Sequence, residues 1–209
     1  MLPRTVNAPF IFALVVLNTT LYGGLWLVGQ EDPRVVQVAI AAFALWPSPN
    51  FILWQVVTYA FLHGGFSHLL FNMLGLWMFG KEIERHWGTV RTATFYFVCV
   101  LGGAIGQLLV TTFEGTRAPM IGASGGVFGI LLAFGMMFPE RRIFLLIPPM
   151  PVKAKWVVLG YGLVELWLGV SGTLAGIAHF AHLGGMVFGA LLILAWPALR
   201  QGRGRDPYD

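Results

Sequence analysis

Charge is what this chain has least of. Only 11% of its 209 residues are Asp, Glu, Lys or Arg, against about 25% in soluble domains. That shortage argues against an ordinary soluble enzyme, whose surface needs charged side chains. Cysteine is almost absent. The single Cys99 lies within an apolar run, which excludes an internal disulfide. No His-Glu-x-x-His pattern is present, which disfavours that class of metalloprotease. No internal repeat or low-complexity segment breaks the chain. Nor is a cleavable signal peptide evident: residues 1–7 carry one Arg, and the run that follows is long enough to span a membrane.

What is present is apolar. Hydrophobic residues make up 57% of the chain, and the mean hydropathy is +0.75. Its length leaves room for about six spans of about 20 residues, with no soluble domain left over. The expected fold is all-α: a polytopic membrane protein built as a six-transmembrane-helix bundle. We read residues 1–209 as one membrane domain with spans at about 10–28, 67–80, 89–112, 124–138, 155–170 and 179–199. Residues 200–209 form a basic cytoplasmic tail. The connection 29–65 is rich in aromatics and holds Pro33, Pro47 and Pro49, so it is expected to lie in the membrane interface. Lys81, Glu82, Glu84 and Arg85 are expected to end the second span, with Glu84 capping that end.

Loop charges set the orientation. With the N-terminus cytoplasmic, the inner segments hold Arg4, Lys81, Arg85, Arg91, Arg141, Arg142, Lys153, Lys155, Arg200, Arg203 and Arg205. Only Arg34 and Arg117, of 13 Lys and Arg, remain outside. This asymmetry places both termini inside. The net charge of +4 therefore reflects membrane topology and does not imply nucleic-acid binding.

The fourth span is short. Residues 124–138 make 15 positions, roughly 22 Å of helix, against a hydrocarbon core about 30 Å thick. With its inner end flush at Pro139, Ser124 lies roughly 8 Å below the outer boundary of the core. The segment before it must descend as non-helical backbone, which is permitted only inside protein or along a wet cavity.

Polar residues from distant segments meet at that end. Ser124 stands in Gly122-Ala123-Ser124-Gly125-Gly126, and His182 in Ala181-His182-Leu183-Gly184-Gly185. Gly122/Gly126, Gly125/Gly129 and Gly185/Gly189 are small-xxx-small pairs that let spans 4 and 6 approach closely. Such packing would bring His182 near Ser124 as a general base. His68 and Asn72, at i and i+4, share one helical face and both carry donors suited to an oxyanion, beside the Ser124 amide. Each piece has a plainer reading: glycine packing for Ser124, backbone satisfaction for His68 and Asn72.

Taken together, His68-x-x-x-Asn72, Gly122-x-Ser124-Gly125 and Ala181-His182-x-x-Gly185 resemble the rhomboid intramembrane serine proteases. The resemblance covers nearly the whole chain. It implies a Ser–His dyad in a membrane-embedded cavity that cleaves transmembrane segments of other proteins, with no cofactor and no metal. By that resemblance Ser124 is the nucleophile, His182 the base, and His68 and Asn72 stabilise the transition state. Two positions depart from the family's habit. Gln55 follows Trp54 where the family often has Arg, and Phe128 stands where it often has Tyr. An aromatic ring at 128 is expected to stack on His182. The implied partners are transmembrane substrates and the lipid bilayer, with no nucleic acid. The implied location is a bacterial inner membrane, with the site open to the outer side.

His63 and His179 read as loop or rim residues, and His86 as a solvated cytoplasmic side chain. Glu165 is the only acid inside a span and is a functional suspect by default. A protonated carboxyl or a hydrogen bond to a neighbouring helix is the favoured reading for it, orientation of His182 the lesser one. A catalytically silent membrane-helix-binding protein of the same fold is the alternative function. A transporter is a third, weakened by the lack of inverted repeats.

Overall fold

The computed structural model describes residues 8–145, 149–172 and 178–197. Helix α1 (Pro9–Glu31) and helix α2 (Pro33–Phe43) are followed by a loop holding the short α3 (Gln55–Thr58) and a 3-10 turn, Tyr59–Phe61. Then come α4 (Phe66–Gly75), a π-helical stretch Leu76–Gly80, α5 (Lys81–Trp87), α6 (Thr89–Glu114) and α7 (Ser124–Met137). Strands β1 (Arg142–Leu145) and β2 (Met150–Lys153) precede α8 (Ala154–Ser171) and α9 (His179–Ala195). The expected tail 200–209 and most of the loop 171–178 lie outside the described residues.

Three expectations need correction. The fold is mostly helical but not all-α: β1 and β2 pair as an antiparallel hairpin, Arg142 opposite Lys153 and Leu145 opposite Met150. The hairpin leads into α8, and Lys153 and Lys155 flank the exposed Glu140, pulling its carboxyl down to about 2. Secondly, the helix begun at Phe66 does not stop at Lys81. It runs on through the π-helical stretch into α5 and ends at Gly88, whose φ of 84° suits glycine. The charges are accommodated because each finds a partner: Glu82 binds Arg85 at 2.7 Å and Arg141 at 3.1 Å. Thirdly, Glu84 caps a different helix. Its carboxylate accepts from Phe10 N at 3.0 Å, Ile11 N at 2.9 Å and Thr89 Oγ1 at 2.7 Å. It thus satisfies open N–H groups at the start of α1.

The first loop is held by its own side chains. Gln55 is fully buried; its Oε1 accepts from Ile52 N at 3.0 Å and Trp46 N at 3.3 Å, and its Nε2 donates to Ala41 O at 3.4 Å. The indoles of Trp46 and Trp54 donate to the Ile40 and Ala42 carbonyls that close α2. An uncharged amide is therefore sufficient to staple the loop after Trp54.

Glycines set the interior. A Cβ on Gly185 would lie 2.7 Å from the Gly125 carbonyl carbon, so α7 and α9 touch backbone to backbone. On α6, a Cβ at Gly103 would meet Tyr59 Oη at 2.9 Å, Ala181 O at 3.0 Å and Gly125 Cα at 3.3 Å. Gly102 and Gly106 meet Gly184 and the Phe180 carbonyl in the same way. Three helices thus converge where side chains are absent.

The outside is apolar. On α1 and α8, residues such as Trp26, Leu27, Leu163, Trp167 and Val170 are more than half exposed. Helices α1 and α6 are long and apolar enough to cross a membrane, while α2, α7 and α9 are shorter apolar helices. An apolar exterior around a core holding polar side chains is the arrangement lipid selects.

Candidate active site

The approach to Ser124 is extended backbone pinned at two points. Leu45 and Met120 exchange N–H···O bonds of 2.9 Å in both directions, and Gly122 N donates to Tyr59 O at 2.9 Å. Tyr59 Oη in turn donates to Val100 O on α6 at 2.7 Å. Gly122 has a φ of 127°, and Gly122 and Ala123 are buried. This fixed descent delivers Ser124 as the first residue of α7. Its N–H, like others in a first helical turn, has no carbonyl a turn behind it.

His182 Nε2 lies 2.8 Å from Ser124 Oγ, bridging α9 and α7. The histidine is buried at 8% exposure, and Ser124 is half-buried. Phe128, one turn after Ser124, stacks on the His182 ring at 4.2 Å with 4° between planes. The ring is therefore held by a hydrogen bond on one edge and an aromatic face on the other.

His68 sits across Gly122. A Cβ there would lie 2.6 Å from His68 Nε2 and 3.8 Å from Ser124 Oγ, so only glycine admits the imidazole. Gly64 N donates to His68 Nδ1 at 3.4 Å. An accepting Nδ1 leaves the ring proton on Nε2, on the side of Gly122. Asn72 is buried, and its Nδ2 donates to the His68 carbonyl at 2.8 Å. The structure thus brings Ser124, His182, Phe128 and His68 together. Among the described residues Asn72 makes its hydrogen bond to the His68 backbone rather than to Ser124.

Of the two histidines read as loop or rim residues, His63 does lie in the loop before α4, whereas His179 opens α9. His179 is buried at 5% exposure. His63 packs its ring against His68 at 5.1 Å, and both its nitrogens are buried without a hydrogen-bond partner. That burial, with the neighbouring His68, pulls the His63 imidazole down to about 4 and keeps it neutral. Glu165 on α8 is inside the bundle: its Oε2 accepts from His179 Nδ1 at 2.7 Å and lies 2.9 Å from His182 Nδ1. Of the two favoured readings of Glu165, a protonated carboxyl or a bond to a neighbouring helix, the His179 contact matches the second. Its equal closeness to His182 corresponds to the lesser reading, orientation of that ring. One signal was available: Gly162, Glu165 and Gly169 fall at i, i+3 and i+7, and the glycines meet Met186, His179 and Phe180 of α9.

The N-terminal ends of α4, α7 and α9 supply His68, Ser124 and His182. Helix N-termini carry partial positive charge, so their convergence favours an anion among them. The constellation can move a proton from a hydroxyl and hold a developing oxyanion.

Known proteins carry similar sequences. The chain is 35% identical over 163 residues to RHOMBOID-like protein 4 of Arabidopsis thaliana, covering 74% of this chain and 39% of that protein. It is 29% identical over 206 residues to the rhomboid protease GlpG of Yersinia pestis (strain Pestoides F), covering 96% of this chain and 66% of that protein. A third relative, the rhomboid protease GlpG of Yersinia enterocolitica, is 29% identical over 196 residues. The chain spans less than half of the plant protein and just under two thirds of the bacterial ones. Residues 50–199 match the family profile of the Rhomboid domain, from the first loop to the end of α9. This helical, lipid-facing chain is an integral membrane protein and belongs to the rhomboid family.

Proposed function

We propose that this protein is an intramembrane serine endopeptidase that cleaves transmembrane segments through a Ser–His dyad and an acyl-enzyme. The observation that carries the reading is the 2.8 Å contact of Ser124 Oγ with His182 Nε2 at the buried meeting point of α7 and α9. His182 Nε2 takes the Ser124 proton as Oγ attacks a substrate carbonyl carbon. The tetrahedral oxyanion is held by His68 Nε2–H and the Ser124 N–H, with Asn72 supporting His68 through its carbonyl and its second N–H free to join them. His182 then protonates the departing amine, and water, deprotonated by the same nitrogen, releases the acyl group. Phe128 keeps the imidazole in register through both steps.

The proposal includes six spans in one membrane domain: α1, α4 continued through α5, α6, α7, α8 and α9. Both termini are cytoplasmic, the cavity opens to the outer side, and the location is a bacterial inner membrane. Loop charges and the short α7 support this topology. The substrates are single-span membrane proteins whose helix unwinds locally to expose a peptide bond.

The test is cleavage of a panel of single-span substrates in detergent and in liposomes, with cut bonds mapped by mass. A fluorophosphonate should label the wild type and not Ser124→Ala, and cleavage should vanish in the same variant. Substrate-helix binding with no labelling and no cleavage by the wild type would identify the catalytically silent helix-binding alternative instead.

A further inference from the structure

Helix α8 turns almost everything outward in its second half. Leu163, Val164, Leu166 and Trp167 are 47–72% exposed, whereas Glu165 is buried at 8%. After Val158, Glu165 is the only buried residue α8 contributes. A carboxylate in an apolar bundle is costly unless it is paired. Glu165 is paired on both sides by imidazoles of α9. One oxygen, Oε2, is 2.7 Å from His179 Nδ1 and 2.9 Å from His182 Nδ1. The His179 contact is an aligned hydrogen bond. The His182 contact is close but lies off the N–H direction, so His182 Nδ1 counts as a buried nitrogen without an aligned partner.

The side chains around Glu165 hold it in place. Gly169 lets the helices close, since a Cβ there would already touch His179 Cβ at 3.3 Å and the Phe180 ring at 3.1 Å. His179 donates through Nδ1 and leaves its buried Nε2 without a partner. It therefore serves as a bracket for the carboxylate rather than as a second base. The distances are those of N–H···O contacts. A tetrahedral ion with bonds of about 2.0 Å would hold its ligand atoms about 3.3 Å apart. The cluster is thus a carboxylate shared between two imidazoles.

The consequence concerns the tautomer of His182. To accept the Ser124 proton at Nε2, the neutral ring must carry its own proton on Nδ1. A carboxylate 2.9 Å from Nδ1 favours that tautomer, and it faces the positive charge that appears when Nε2 is protonated. We infer that Glu165, bracketed by His179, is a positioning residue for His182, making a Ser124–His182–Glu165 relay whose third member is carried by α8. No group is transferred to Glu165. It stays ionised while the proton moves between Ser124 Oγ, His182 Nε2 and the leaving amine.

This inference rests on the protease reading and has its own test. Glu165→Gln keeps the shape and an acceptor for His179 but removes the charge. With a substrate cut by the wild type, it should lower kcat about 10- to 100-fold and leave KM within about twofold. The rate of fluorophosphonate labelling at Ser124 should fall in parallel. Glu165→Asp, which restores the charge one methylene further back, should recover part of the lost kcat. Thermal unfolding in detergent is read on each variant, and His179→Asn supplies a structural control that loosens the bracket and retains the carboxylate. Wild-type kcat in Glu165→Gln would overturn the inference. So would a loss that Glu165→Asp fails to relieve while both variants unfold at the wild-type temperature. A wild type with no Ser124-dependent labelling would instead sink the protease reading.

Discussion

At the scale of single residues, the site depends on how the His182 ring is held. Ser124 bonds one edge, Phe128 stacks on one face and Glu165 lies 2.9 Å from the far nitrogen. Aromatic stacking is worth about 0.5–1.5 kcal/mol beyond area burial. Phe128→Ala should therefore lower kcat about 3- to 10-fold through a mobile imidazole. Phe128→Tyr, which keeps the stacked face, should stay within about twofold. Steady-state cleavage of one substrate by the three proteins decides it, and equal rates for wild type and Phe128→Ala would remove the ring from the argument. The approach of His182 to Ser124 was legible in sequence, because small-residue spacing on two spans and the loop charges both point to it. Glu165 was legible only as an intramembrane acid. Its neighbours His179 and His182 lie on another helix, and the Gly162, Glu165 and Gly169 spacing marks a face of α8 without naming the side chains that meet it.

At the scale of elements, backbone contact is what brings Ser124 and His182 together. Gly185 lies against the Gly125 carbonyl, one residue from Ser124 and three from His182. Gly185→Ala would put a methyl group into that carbonyl and separate α7 from α9. Overpacking of this kind costs about 1–3 kcal/mol. We expect a lower unfolding temperature in detergent together with a loss of cleavage larger than the stability change explains. Unaltered activity with unaltered stability would show that the helices have slack. The glycine pairs of α7 and α9 could be seen in advance. On α6, Gly102 and Gly106 form a pair of the same kind, but spacing alone does not say that Gly102 and Gly106 meet α9 while Gly103 meets Tyr59 and Gly125 as well. The continuation through Lys81 was hidden for a related reason. Clustered charges ordinarily close a span, and only the fold reveals that Glu82 and Glu84 have partners 59 and 74 residues away.

At the scale of the whole molecule, the proposed orientation makes a claim about sides. Arg117 is exposed in the turn after α6, and Val90 is 77% exposed at that helix's opposite end. The native Cys99 is buried. In intact spheroplasts, Arg117→Cys should react with a membrane-impermeant maleimide, whereas Val90→Cys should react only after permeabilisation. The reverse pattern would invert the topology and turn the cavity toward the cytoplasm.

The order in which a ribosome delivers the chain gives the Glu84 contact a further meaning. Helix α1 emerges before α5, yet its leading amides at Phe10 and Ile11 are completed by a carboxylate made 74 and 73 residues later. Until that side chain arrives, the leading amides of α1 lack their carboxylate partner. Synthesis of α5 therefore closes the first span retrospectively, and a nascent chain cut before residue 84 should leave α1 inserted but undocked.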